Sequence, residues 1–101
     1  MKLNKNNKKS VEFNKNNLEG AYLSEANLNG ADLSNANLNG SDLSFCDLTN
    51  ADLTNADLSD ADLCGAYLQG TILTGAKLYG QNRMHLRKSG AILDKPKIKR
   101  K

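Results

Sequence analysis

Residues 31–63 read ADLSNANLNGSDLSFCDLTNADLTNADLSDADL, and one spacing runs through the whole stretch. A Leu falls at 33, 38, 43, 48, 53, 58 and 63, and a small residue stands two places before each: Ala31, Ala36, Ser41, Cys46, Ala51, Ala56 and Ala61. Working outward, the Leu phase extends back through Leu28, Leu23 and Leu18 to Phe13, and forward through Leu68 and Leu73 to Leu78. The small position extends likewise from Val11 through Asn16, Ala21 and Ala26 to Ala66, Thr71 and Ala76. The result is fourteen pentapeptides over residues 11–80.

A period of five suits neither regular element. Each step turns about 140° around an α-helix, so the Leu would not form a stripe. In a flat strand an odd period sends successive Leu to opposite faces. The pattern is satisfied if the chain bends every five residues and each pentapeptide makes one side of a coil with its Leu inward. The Asp, Asn, Ser, Thr and Gly at the other positions tolerate tight bends and solvate the faces. Burying each Leu stabilises the coil by roughly 1.5–3 kcal/mol, and Ala at the second inward position leaves room for it.

Ala31-Asp32-Leu33-Ser34-Asn35, Ala51-Asp52-Leu53-Thr54-Asn55 and Ala61-Asp62-Leu63-Cys64-Gly65 resemble the pentapeptide-repeat family. The resemblance implies an all-β fold, a right-handed quadrilateral β-helix with four pentapeptides per turn. Fourteen pentapeptides then make about three and a half coils, each Leu stacking on the one twenty residues away. At strand spacing the rod would stand about 17 Å tall.

The register predicts where the coil stops. Continued past Gly80 it would put Arg83 and Lys88 in the core, and an unpaired charge buried there is prohibitive. Residues 81–93 are therefore expected to form a C-terminal cap, with Met84 and Leu86 over the open end and Ala91-Ile92-Leu93 in phase for one further side. Residues 1–10 and 94–101 read as basic, disordered termini.

The net charge of +3 conceals a segregation. Residues 1–17 sum to +4, residues 18–80 to −8 and residues 81–101 to +7. The first residues are rich in Lys and Asn with no apolar run, unlike a signal peptide. No stretch approaches the ~18 apolar residues of a membrane span. Two cysteines make neither a disulfide framework nor a four-ligand metal site. Together these features point to a cytoplasmic protein.

The candidate functional residues are outward ones. Asp32, Asp42, Asp47, Asp52, Asp57 and Asp62 form an acidic ladder, with Asp32 stacked on Asp52 and Asp42 on Asp62. The ladder creates a negative surface, but no nucleophile, base and oxyanion donor can be assembled around it, so catalysis is not expected. His85 stands alone and suggests no metal; Cys46 points inward and Cys64 outward. Tyr22, Phe45, Tyr67 and Tyr79 point outward and are candidates for a partner-binding face. The tail residues Lys95, Lys97, Lys99, Arg100 and Lys101 have the composition of a nucleic-acid patch.

The reading that follows is a non-catalytic protein–protein interaction module with no cofactor and an unidentified protein partner. There are two alternatives. Family members that protect DNA gyrase resemble B-DNA in size and charge; here a rod of that height compares with about ten duplex phosphates, but the short acidic stretch is bracketed by basic ends. Nucleic-acid or anionic-membrane binding through the tails is the other. End-to-end pairing of two copies would lengthen the rod.

Overall fold

The computed structural model describes residues 15–95. Residues 1–14 and 96–101, which include most of both basic termini, lie outside the described residues.

After a short 3-10 turn at Lys15–Asn17, the chain winds into stacked coils with a twenty-residue register. From Tyr22 on, the residue just before each inward Leu forms a parallel bridge with its counterpart one coil away. These bridges define four sides. Side A joins Tyr22, Asp42 and Asp62, and side B joins Asn27, Asp47 and Tyr67. Side C runs through Asp32, Asp52, Ile72 and Ile92, and side D through Asn37, Asp57 and Lys77. The bridges stay isolated, without the extended strands an all-β reading suggests. The cause is local. Each side bends into a hydrogen-bonded turn as soon as the Leu is passed, with the Leu carbonyl accepting from the amide three residues on, as in Ala51 N–H to Leu48 O at 2.9 Å.

That turn sets the corner chemistry. Its third residue has positive φ throughout, the type II arrangement, at glycines such as Gly40 but also at Glu25, Asn35, Phe45, Asn50, Asn55 and Asp60. The same residue donates its amide to the next coil, as in Asn50 N–H to Gln69 O at 2.9 Å. Corners and sides thus share one ladder of backbone bonds.

The Leu from Leu18 to Leu78 are all buried. At the small inward positions, polar residues follow a rule of their own. Cys46 Sγ reaches Leu23 O and Thr71 Oγ1 reaches Leu48 O, each at 2.7 Å and each twenty-three residues back. Ser41 occupies the same position, but its hydroxyl is buried without a hydrogen-bond partner. Burial pushes the Cys46 thiol up to about 12, so it serves as a small core side chain.

Beyond Gly80 the coil is interrupted by α1 (Arg83–Lys88). Asn82 caps its first turn, its side chain accepting from the His85 amide at 3.0 Å. Six residues are too few for an independent helix; Leu86, 1% exposed, anchors this one on the column. Arg83 and Lys88 are exposed, as the cost of burying a charge demands. Met84, expected to share the cover, is 65% exposed: a single short helix turns one side to the column, and Leu86 occupies it. Gln81 does the remaining work, its Nε2 donating to Ala61 O at 2.7 Å and Leu58 O at 3.1 Å. The Ala61 carbonyl would otherwise have met the next coil.

The helix ends in a Schellman motif at Gly90, φ 97°. Ala91 N–H bonds to Leu86 O and Gly90 N–H to Arg87 O. The chain re-enters the register after an excursion of two pentapeptides, and Ile92 bridges Ile72. Asp94 is tied down as well. Its Oδ2 accepts from Gly75 N–H at 2.9 Å, and its carbonyl accepts from Arg87 Nη2 at 3.0 Å.

Candidate interaction surface

The acidic ladder is where the register puts it, and its carboxylates serve the turns. Each accepts the amide two residues on: Ser34, Ser44, Thr49, Thr54, Ser59 and Cys64 donate to Asp32, Asp42, Asp47, Asp52, Asp57 and Asp62 at 2.9–3.1 Å. Asn27 and Asn37 accept from Asn29 and Asn39 in the same way. This Asx bond explains why Asp and Asn alternate here: either side chain supplies the oxygen the turn needs. The hydroxyl of Ser44 and then its amide hold the Asp42 carboxyl below the usual carboxylate range. The amide and then the hydroxyl of Ser59 do so for Asp57, with Lys77 adding to the effect. These bonds favour the ionised form of Asp42 and Asp57. Among the described residues no group of three or more His, Cys, Asp or Glu side chains could hold a metal ion.

The aromatic residues do not form one face. Tyr22 lies on side A in the first coil and Tyr67 on side B in the third, while Phe45 stands between them at the A/B corner of the second. These three follow one edge of the rod. Tyr79 is on the D/A corner near the C-terminal end, where it lines a shallow, open hollow with Lys77, Leu78, Gly80 and Arg83. Of the tail cations only Lys95 is described, and it is exposed.

Among the described corners only Glu25 and Phe45 are neither Gly, Asn nor Asp, and Phe45 is the bulkier. Its φ of 58° lies in the left-handed region, which costs a bulky L-residue roughly 1–2 kcal/mol. The corresponding corners of its coil carry Asn50, Asn55 and Asp60, residues that visit this region more readily. Its ring lies against the next coil and is still 56% exposed. The coil below has Gly65 at that point, and a Cβ there would come within 2.5 Å of the ring. Gly65 thus supplies both a positive φ and the absence of a side chain beneath the ring. The sequence marks Phe45 as outward and aromatic. The bent backbone and the Gly65 seat emerge only once the turn geometry and the twenty-residue stacking are known.

Exposed side chains on a stacked-coil scaffold define a repeat protein of the solenoid class. The pentapeptide-repeat family model, described as pentapeptide repeats, matches eight copies over residues 17–55 and 46–80. This chain belongs to the pentapeptide-repeat family. It is similar to the crystal structure of a pentapeptide repeat protein from the cyanobacterium Cyanothece, with 32% identity, a TM-score of 0.58, and coverage of 76% of this chain and 49% of that one. A pentapeptide repeat protein from the Arabidopsis thaliana thylakoid lumen also matches, with 36% identity, a TM-score of 0.44, and coverage of 61% and 46%. The chain spans about half the length of these solved relatives. No curated protein matches it.

Proposed function

We propose that this chain is a non-catalytic protein-binding module, built on a right-handed four-sided β-helix, whose A/B edge is the contact surface. The observation that carries the reading is Phe45. A bulky ring is held at positive φ and left half in water, a backbone strain that Asn at the same corner would largely avoid. Strain that the fold does not require is characteristic of functional positions. Aromatic side chains also dominate interface hot spots, and Tyr22 and Tyr67 extend the surface one coil to either side. The buried thiol of Cys46 and the free thiol of Cys64 suit a reducing, cytoplasmic setting. No helix among the described residues is long and apolar enough to cross a membrane.

The test is affinity capture with the intact chain, with Phe45→Asn, and with a chain lacking residues 96–101. The expected result is that partners captured by the intact chain are lost with Phe45→Asn and retained after truncation. Loss on truncation alone would move the function to the tail. A supercoiling assay with purified gyrase addresses the DNA-mimic alternative. Little inhibition is expected, because docking as a duplex draws on many phosphate-like charges at once and α1 places Arg83, Arg87 and Lys88 at the end of the rod. Strong inhibition would replace the present reading with mimicry.

A further inference from the structure

We propose that the A/B edge takes an extended peptide segment of a partner protein with basic side chains at alternate positions, arginine above lysine. The proposal rests on the protein-binding reading and names the chemistry of the occupant.

Charge complementarity selects the partner. Around the three rings stand Glu25 at the corner, Asp42 and Asp62 on side A, and Asp47 on side B. No basic residue occurs in the chain between Lys15 and Lys77, so the first three coils of this edge are purely anionic. The hydrogen bonds from Ser44 keep Asp42 ionised. Rings interleaved with carboxylates match a guanidinium. Its plane stacks on an aromatic face while its fork meets a carboxylate, which an ammonium does less well. Side C offers the contrast: it carries Asp32 and Asp52, but its outward apolar residues are Ile72 and Ile92, with no aromatic face.

The spacing selects an extended chain. Coils stack at ~4.8 Å, so Tyr22 and Tyr67, two coils apart, are separated by about 10 Å along the rod. Tyr22 and Tyr67 stand on adjoining sides of the rod, so the segment crosses the corner at Phe45; with same-side residues about every 7 Å, two alternate basic residues reach Phe45 and one flanking Tyr. The cationic α1 closes the C-terminal end of the edge and limits the contact to the first three coils.

The experiment titrates the full chain, followed by amide NMR shifts and calorimetry, with a capped hexapeptide of alternating Arg and Gly, its Lys equivalent, and a Glu equivalent. The Arg peptide is expected to bind best and the Glu peptide not at all, with shifts centred on residues 44–47 and 64–67. Phe45→Asn is expected to weaken binding about tenfold with little change in melting temperature, so loss of binding is separable from loss of fold. The double variants Asp42→Asn/Asp62→Asn and Asp32→Asn/Asp52→Asn remove the same charge and keep an Asx oxygen. Only the first is expected to weaken binding. Equal weakening by both, or no effect of Phe45→Asn, would overturn the proposal in favour of diffuse attraction. Self-association of the free chain that Phe45→Asn abolishes would also overturn it, making the chain's own basic segment the occupant. If Phe45-dependent capture of a partner survives excess Arg peptide, the cationic occupant is wrong and the docking edge stands. If capture ignores Phe45, the docking reading itself fails.

Discussion

The periodic body, residues 18–80, and the excursion at residues 81–90 occupy the same register with opposite chemistry. In the body the inward phase carries Leu without interruption; in the excursion it falls on Arg83 and Lys88. The chain responds by leaving the coil for α1 and returning ten residues later at Ala91. Two positions keep their phase through the change. Gln81 and Leu86 both stand where the body places a small residue, and both still serve the column, one by hydrogen bonds and the other by burial. The contrast shows that the register belongs to the column rather than to the local backbone, because the interruption consumes two whole pentapeptides.

The largest effect is expected from moving the chemistry of the excursion into the body. Leu53→Lys puts an unpaired ammonium where Leu53 is fully buried and is expected to cost more than about 4 kcal/mol, enough to unfold the chain. Asp52→Lys, one residue away and outward, forfeits the turn bonds from Thr54 and relieves repulsion with Asp32; its expected cost is about 1 kcal/mol. Thermal melts of the two variants should differ widely. Similar losses would show that the inward–outward assignment is wrong.

Next in size is the excursion itself. Leu86→Ala removes its one buried anchor and is expected to cost about 2–3 kcal/mol. Amide exchange should become faster across residues 82–93 while the body keeps its protection. Uniform loss of protection would mean that α1 and the coils unfold as one unit.

Two substitutions make the body more regular. Ser41→Ala removes the partnerless buried hydroxyl, and Phe45→Asn replaces the bulky residue at positive φ. Ser41→Ala is expected to raise stability by about 1 kcal/mol, read as a higher urea midpoint, and Phe45→Asn to change it by less than about 1 kcal/mol, relief of backbone strain offsetting the lost contact with Gly65. A lower midpoint for Ser41→Ala would mean that the hydroxyl is satisfied in solution.

The smallest effect concerns acid. Asp42 and Asp57 titrate below their ordinary value in the folded chain because of bonds from Ser44 and Ser59. A depressed carboxylate contributes stability that is fully present above the unfolded value, about 4, and is lost as pH falls through the lower folded value. Urea midpoints should therefore not change on account of these carboxylates between pH 7 and 5 and should fall below about 4. Asp57→Asn, which keeps an oxygen for the Asx bond, should reduce that fall slightly. A decline already evident at pH 6 would need another group.

The amino-acid sequence was enough to read a bend every five residues, the inward and outward phases and the point of interruption, because an unbroken Leu period of five fits neither helix nor flat strand and Arg83 cannot be buried unpaired; the four-sided coil came from the family resemblance. The sequence also marked the outward Asp and aromatic residues, since phase alone assigns them. The contacts at the corners needed the folded coils. The family resemblance already implied the twenty-residue stacking that pairs Asp32 with Asp52 and Asp42 with Asp62; the structure adds that Tyr22, Phe45 and Tyr67 flank one corner of the rod while Tyr79 stands at another. The Asx bonds, the left-handed backbone of Phe45 and the seat at Gly65 likewise depend on the geometry of a turn and its neighbour. A periodic string specifies the turn's recurrence, whereas contact between residues 45 and 65 exists only after the coils have closed and stacked.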